Sequence, residues 1–149
     1  MEVIVENKNI FVEKVNIIGD GACLFNMLSM ALYGSQERSL HVRQQIVNYV
    51  LDNFENYTNF LIKANYEAAT NENDIVLDSD ENNILFSASE YSTHMLRPYS
   101  YGTFLELSVA STIFQRRIYI FEEIRPSQGR PYLRFYSDVG DHQWSMIIT

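Results

Sequence analysis

Two side chains in this sequence make a pair that could carry nucleophilic chemistry: Cys23, the single cysteine, and His142, near the other end of the chain. The thiolate is the reactive form of cysteine, and a histidine brought to it from a distant part of the sequence serves as its base, so the pair points to acyl transfer through a thioester. A lone cysteine is more often a small buried hydrophobe with no chemistry, and the histidine is what shifts the reading. The surroundings of Cys23 also favour it. Gly19-Asp20-Gly21-Ala22-Cys23-Leu24-Phe25 contains two glycines, which permit positive φ and the close approach of other groups. It leads into the apolar run CLFNMLSMAL, which stops before Gly34. Cys23 therefore falls in the first turn of a helix, where unpaired N–H groups and the positive end of the dipole favour thiolate over thiol. The N–H groups around Gly21, Ala22 and Cys23 are placed to receive a developing oxyanion. Asp20, taken alone, is a turn residue that hydrogen-bonds nearby backbone.

The elements that must position this pair can be read from periodicity. Met1 to Val5 and Ile10 to Ile18 are rich in Val and Ile and predict extended or edge strands. Cys23 to Leu32 is apolar on most sides and predicts a buried central helix. Ser39 is a candidate cap for a second helix with Val42, Ile46, Val47, Val50, Leu51 and Phe54 at helical spacing. His41 and Arg43 within it read as surface or satisfied polar residues. Tyr57 to Ala64 predicts a short helix. Thr103-Phe104-Leu105-Glu106 has the form of a capping box, with Val109, Ala110, Ile113 and Phe114 behind it, so a helix should run from Phe104 to about Gln115. Ile118 to Ile124 and Tyr132 to Tyr136 flank a turn and predict a hairpin. The loop Ser137 to Asp141 then delivers His142 to a third strand, Gln143 to Ile148. The fold class is α+β.

Composition narrows the function classes. A chain of 149 residues suits one domain, 1–149, able to bury about 68–70% of its unfolded surface. No apolar run reaches the ~20 residues of a membrane span, and the start, MEVIVENKNI, lacks the basic and long apolar parts of a signal peptide. We therefore expect an intracellular, cytoplasmic protein. One cysteine excludes an internal disulfide, and with only His41, His94 and His142 beside it a structural zinc site is not expected, nor any cofactor. The net charge of −8 is local. Glu67, Glu72, Asp74, Asp78, Asp80, Glu81 and Glu90 lie between Ala64 and Leu96 with no Lys or Arg, leaving 12 acids against 11 bases elsewhere. That balance argues against a nucleic-acid groove. The acidic stretch predicts a solvated polar segment, or a surface that steers a basic partner.

Four ordered segments resemble a known family. Asp20-Gly21-Ala22-Cys23-Leu24-Phe25 is similar to the D-G-x-C-L-F signature of the ovarian tumour (OTU) cysteine proteases, which remove ubiquitin. Ser39 to Tyr57 resembles that family's helix with an internal Val-Arg pair. Tyr101-Gly102 with Leu105 to Ala110 resembles its W-G-x-x-x-E-L-x-A segment, with Tyr in place of Trp, and His142 matches its catalytic histidine. The resemblance spans roughly residues 16 to 148. It implies a papain-like OTU fold: a central Cys-bearing helix packed against a small, mostly antiparallel sheet carrying the histidine, with a helical lobe. It implies Cys23 as nucleophile, His142 as general base and then acid, and Asp20 as the residue shaping the oxyanion turn, with Gly21 and Ala22 supplying backbone N–H groups. The implied partners are ubiquitin or polyubiquitin chains, or ubiquitin-like proteins, bound by a monomer. The basic C-terminal tail of ubiquitin would suit the acidic stretch.

One position departs from the pattern. The family commonly has Asp or Asn two residues after the histidine to orient it; here Trp144 stands there, and indole only donates. Asn16, Asp138 and Asp141 are the chemical candidates for that role. Trp144 reads as core, or as a wall of the channel for the substrate's Gly-Gly tail. Two other classes stay open: a catalytically inactive ubiquitin-binding module, and a papain-like amidase or acyl transferase with another substrate.

Overall fold

The computed structural model describes residues 2–5, 7–11, 17, 19–67, 84–141 and 145–148. Helix α1 (Cys23–Tyr33) starts at the cysteine and stops where its sequence requires, Gly34 taking φ 72° while its N–H closes on Met30 O. One face is buried through Phe25, Asn26, Leu28 and Ser29, whereas Ala31 and Tyr33 are exposed. The all-round apolar run therefore overstates its burial: Met and Ala tolerate partial exposure, so composition alone could not tell a central helix from a one-sided one. Helix α2 (Ser39–Asp52) packs on α1 and on two later helices, α5 (Ala88–Met95) and α6 (Phe104–Phe114).

Helix α2 buries Val42, Ile46, Val47 and Val50 at the expected spacing. Each such side chain stabilises the fold by about 1.5–3 kcal/mol. Its start differs from expectation. Ser35, not Ser39, supplies the cap, accepting the Glu37 N–H at 3.1 Å and opening a 3-10 turn, Gln36–Arg38, that runs straight into Ser39. Buried Ser29 on α1 fixes this turn, donating to Ser35 O at 2.5 Å and accepting the Arg38 N–H at 3.1 Å.

The single helix expected over Tyr57 to Ala64 is instead α3 (Phe54–Tyr57), a 3-10 turn (Thr58–Phe60) and α4 (Lys63–Glu67). A non-local pairing interrupts it. The Phe86 N–H donates to Leu61 O at 2.8 Å and the Lys63 N–H to Ile84 O at 2.9 Å, so Leu61 and Lys63 spend these backbone groups on another segment. Residues 68–83, with five of the acidic positions, lie outside the described residues. The far end of the acidic stretch is not the solvated segment expected. It forms α5 (Ala88–Met95), opened by a capping box in which Ser87 and Glu90 exchange side-chain and backbone bonds, with Tyr91 and Met95 fully buried. Glu90 also pairs with Lys63, tying α5 to α4.

Helix α6 (Phe104–Phe114) begins at Thr103, whose hydroxyl accepts the Leu105 N–H at 3.2 Å, and ends at Gln115 in the left-handed region. Strands β3 (Arg117–Ile124), β4 (Tyr132–Val139) and β5 (Ser145–Ile148) form a sheet ordered β4-β3-β5, antiparallel on one side of β3 and parallel on the other. Strand β4 runs three residues past the predicted end because a register shift between Ile120 and Phe121 lets Ser137, Asp138 and Val139 keep pairing. The hairpin β1 (Glu2–Val5) and β2 (Lys8–Phe11), turned at Asn7 with φ 63°, lays Val3 and Val5 on Tyr119 and Phe121. Val12 to Asn16 and Ile18 lie outside the described residues. Phe25, Leu28, Val50, Leu107, Ile118 and Ile148 share the main core, which joins α1, α2 and α6 to the sheet.

Candidate functional site

The turn before α1 is built by Asp20. Its Oδ1 accepts the Ala22 N–H at 2.9 Å and the Asn26 side-chain amide at 3.3 Å, while its carbonyl accepts the Cys23 N–H at 3.1 Å. An aspartate bonding the backbone two residues on is an Asx turn, and Asn26, buried one turn into the helix, locks the carboxylate in place. Cys23 is half-buried and free at the first helical position. The Gly21 N–H has no hydrogen-bond partner among the described residues. The Ala22 N–H, expected to face an oxyanion, is held by Asp20 in this state, so its use there requires that bond to be exchanged.

Gly21 is required for a reason other than positive φ, which neither it nor Gly19 adopts. A Cβ added at Gly21 would lie 1.5 Å from Tyr99 O and 2.4 Å from Tyr99 C, backbone that no side-chain movement can clear. At Gly19 such an atom would have nothing within 4 Å among the described residues. The segment ahead of α6 presses on the helix start a second time at Gly102, where a Cβ would meet Leu24 Cδ2 at 2.5 Å. The turn is thus clamped between α1 and the chain from Pro98 to Gly102.

Two buried ionisable residues lie behind this clamp. Arg43 on α2 is wholly buried, its guanidinium 3.9 Å over the Phe25 ring, with Nη1 donating to Met95 O and Nη2 to Pro98 O, both at 3.0 Å. It is a satisfied polar residue, as expected, but an internal one. Burial pulls it below its ordinary range to about 10, a fall opposed most strongly by the Glu106 carboxylate. Glu106 accepts at Oε2 from Tyr66 at 3.1 Å and from Thr103 at 2.9 Å, while Oε1 has no hydrogen-bond partner among the described residues. Burial pushes its carboxyl from 4.5 up to about 7.

The raised Glu106 value fixes a sign. Between 4.5 and about 7 the native state keeps a proton that the unfolded chain has lost, so this group makes stability fall as pH rises through that window. Glu106→Gln should remove the slope, a change on the order of 3 kcal/mol across the window. Urea unfolding of both proteins at pH 4.5 and pH 8 measures it; equal pH dependence in the two would show that Glu106 titrates normally.

His142, Gln143, Trp144 and Asn16 lie outside the described residues. The strand that His142 leads into, β5, is in contact with α1. Of the candidates for orienting the histidine, Asp138 is engaged elsewhere: its Oδ2 accepts from Arg117 Nε at 2.8 Å and Nη2 at 2.6 Å. Asp141 is exposed beside His142 in the sequence. Among the described residues no group of His, Cys, Asp and Glu could hold a metal ion, and no helix is long and apolar enough to cross a membrane. An apolar groove of about 610 Å³ lies between Tyr57, Phe60, Tyr66, Phe104 and Leu105; Cys23 does not line it.

Comparison with known proteins decides the family. The model described as "Vertnin, OTU domain" matches residues 14–136. The chain belongs to the OTU-domain family. The match takes in the Asp20–Cys23 turn, Arg43 and Glu106, and ends before His142. Among solved structures, the OTU domain of OTUD1 is 17% identical with a TM-score of 0.60, over 89% of this chain and 75% of that one. An OTU deubiquitinase from Wolbachia pipientis wMel, solved bound to ubiquitin, is 13% identical with a TM-score of 0.50, over 90% of this chain and 87% of that one. A search of curated proteins found no match. The likeness to these structures is one of fold: the OTU arrangement of a Cys-bearing helix and a small mixed sheet. Sequence reasoning reached Asp20, Gly21 and Cys23 in this fold but missed Asn26 as the partner of Asp20 and the burial of Arg43 and Glu106. Both stood in the sequence reading, Glu106 as the acid of a capping box and Arg43 in the Val-Arg pair, but nothing local marked either as buried.

Proposed function

We propose that this OTU-family chain is a cysteine-type deubiquitinase, a monomer that hydrolyses the isopeptide bond after the C-terminal glycine of ubiquitin. The observation that carries this reading is the half-buried Cys23 at the first position of α1, behind a turn held by Asp20, in a chain of this family. Cys23 Sγ attacks the glycine carbonyl as His142 takes the thiol proton. The tetrahedral oxyanion is met by the Gly21 N–H and, on exchange from Asp20, by the Ala22 N–H. His142 then gives its proton to the leaving lysine amine, and water, deprotonated by the same histidine, releases ubiquitin from the thioester. Asp20 shapes the turn and moves no proton. A solved relative bound to ubiquitin supports the choice of partner.

A second reading has an observation of its own. Trp144 in place of an orienting Asp or Asn, with the Ala22 N–H already bonded, suits a module that binds ubiquitin without cleaving it. A panel of di-ubiquitins separates the two. The enzyme reading expects release of mono-ubiquitin from at least one linkage, lost in Cys23→Ala. Binding with no release from any linkage would favour the second.

A further inference from the structure

Arg43 is an expensive residue to keep: a guanidinium with no exposure, desolvated by its neighbours on every side. Its two terminal nitrogens serve two carbonyls that accept no other bond among the described residues, Met95 O at the end of α5 and Pro98 O in the loop beyond it. That loop is also drawn back on α5 by Ser100, whose Oγ donates to His94 O at 2.7 Å and whose N–H donates to Arg97 O at 3.2 Å. The next residue after Pro98 is Tyr99, and its carbonyl is the group that lies against Gly21. This contact joins backbone to backbone. A displacement of Pro98 and Tyr99 therefore reaches the Asp20–Cys23 turn with no flexible side chain to absorb it. A second route leads to the same place, since the ring under the guanidinium is Phe25, two residues after Cys23.

Resting on the deubiquitinase reading, we propose that Arg43 is a positioning residue for attack by Cys23: through Pro98 and Tyr99 it holds the turn that presents the Gly21 and Ala22 N–H groups. It touches neither substrate nor thiol in this role. Lysine keeps the charge but cannot serve two carbonyls with a rigid fork, so Arg43→Lys should loosen the loop while leaving the core volume nearly filled.

The test combines steady-state kinetics on a ubiquitin C-terminal amide with backbone amide NMR of the free protein. In Arg43→Lys, kcat should fall by about tenfold to a hundredfold with KM within about threefold, as expected for misplacement near the reacting atoms. The amide signals of Gly21, Ala22 and Cys23 should move, and those of Val109 and Ala110 in α6 should not. Ser100→Ala releases the same loop without disturbing a buried charge; it should shift the same signals and lower kcat in the same sense, by less. A folded Arg43→Lys with native kcat and unmoved turn signals overturns the proposal. So does a loss of kcat and a rise of KM together with signal changes across the whole chain, which would make Arg43 a general stabiliser. If Arg43→Lys does not fold, Ser100→Ala decides on the same criteria. Absence of turnover in the native protein would sink the deubiquitinase reading alone, and the turn signals would then judge Arg43.

Discussion

Gly21→Ala should cost this protein at least about a hundredfold in any reaction that uses Cys23, and Gly19→Ala, two residues away, should cost almost nothing. The difference is steric. The new methyl at position 21 would sit 1.5 Å from a backbone carbonyl, whereas one at position 19 would have nothing within 4 Å among the described residues, and neither glycine has a positive φ. Either Tyr99 retreats, and the loop clamped by Arg43 moves with it, or the turn before Cys23 does. Overpacking of this kind destabilises by about 1–3 kcal/mol, and a shift of about 1 Å at the reacting atoms is enough for the loss of rate. Gly19→Ala should stay within about 0.5 kcal/mol of the native protein. Thermal unfolding and the rate of covalent modification by an electrophilic ubiquitin read both variants. Equal behaviour of the two alanine variants would show that the Tyr99 contact has no bearing on the turn.

What the sequence disclosed followed the range of the interactions involved. The start of α1 at Cys23, its stop at Gly34 and the opening of α6 at Thr103 are set within a few residues, by glycine conformation and side-chain capping, and were legible. The reason for Gly21 was not: its partner is Tyr99, far along the chain, so a need for close approach could be suspected but its direction could not. The pairing of Leu61 and Lys63 with Phe86 and Ile84 is likewise non-local, and it broke a stretch that propensity alone reads as one helix. Helix α5 is a different kind of miss. Ser87-x-x-Glu90 carries the same capping signal as Thr103-x-x-Glu106, with Tyr91 and Met95 four apart behind it, yet the acid count around it outweighed the pattern. Arg43 could not be placed from sequence because a charge inside a helix is ordinarily solvated, and only the carbonyls of Met95 and Pro98 explain its burial. The acidic positions between 68 and 83, and the histidine with its neighbours 143 and 144, remain as the sequence presents them.

If Cys23 is a nucleophile served by His142, the chain lends itself to an unambiguous test, because it holds no other thiol to react. Ubiquitin carrying an electrophile in place of its C-terminal carboxylate should form a single covalent adduct of one ubiquitin per chain. Peptide mapping should place the bond on Cys23. Cys23→Ala should abolish the adduct, and His142→Ala should slow it by about 10²–10⁴-fold while circular dichroism stays native, since loss of a general base leaves the fold untouched. The contrary result is equally plain: no adduct from the folded native protein, or an adduct forming no faster than in His142→Ala, would mean that Cys23 is an inert residue at the head of α1 and that this chain is not a cysteine protease.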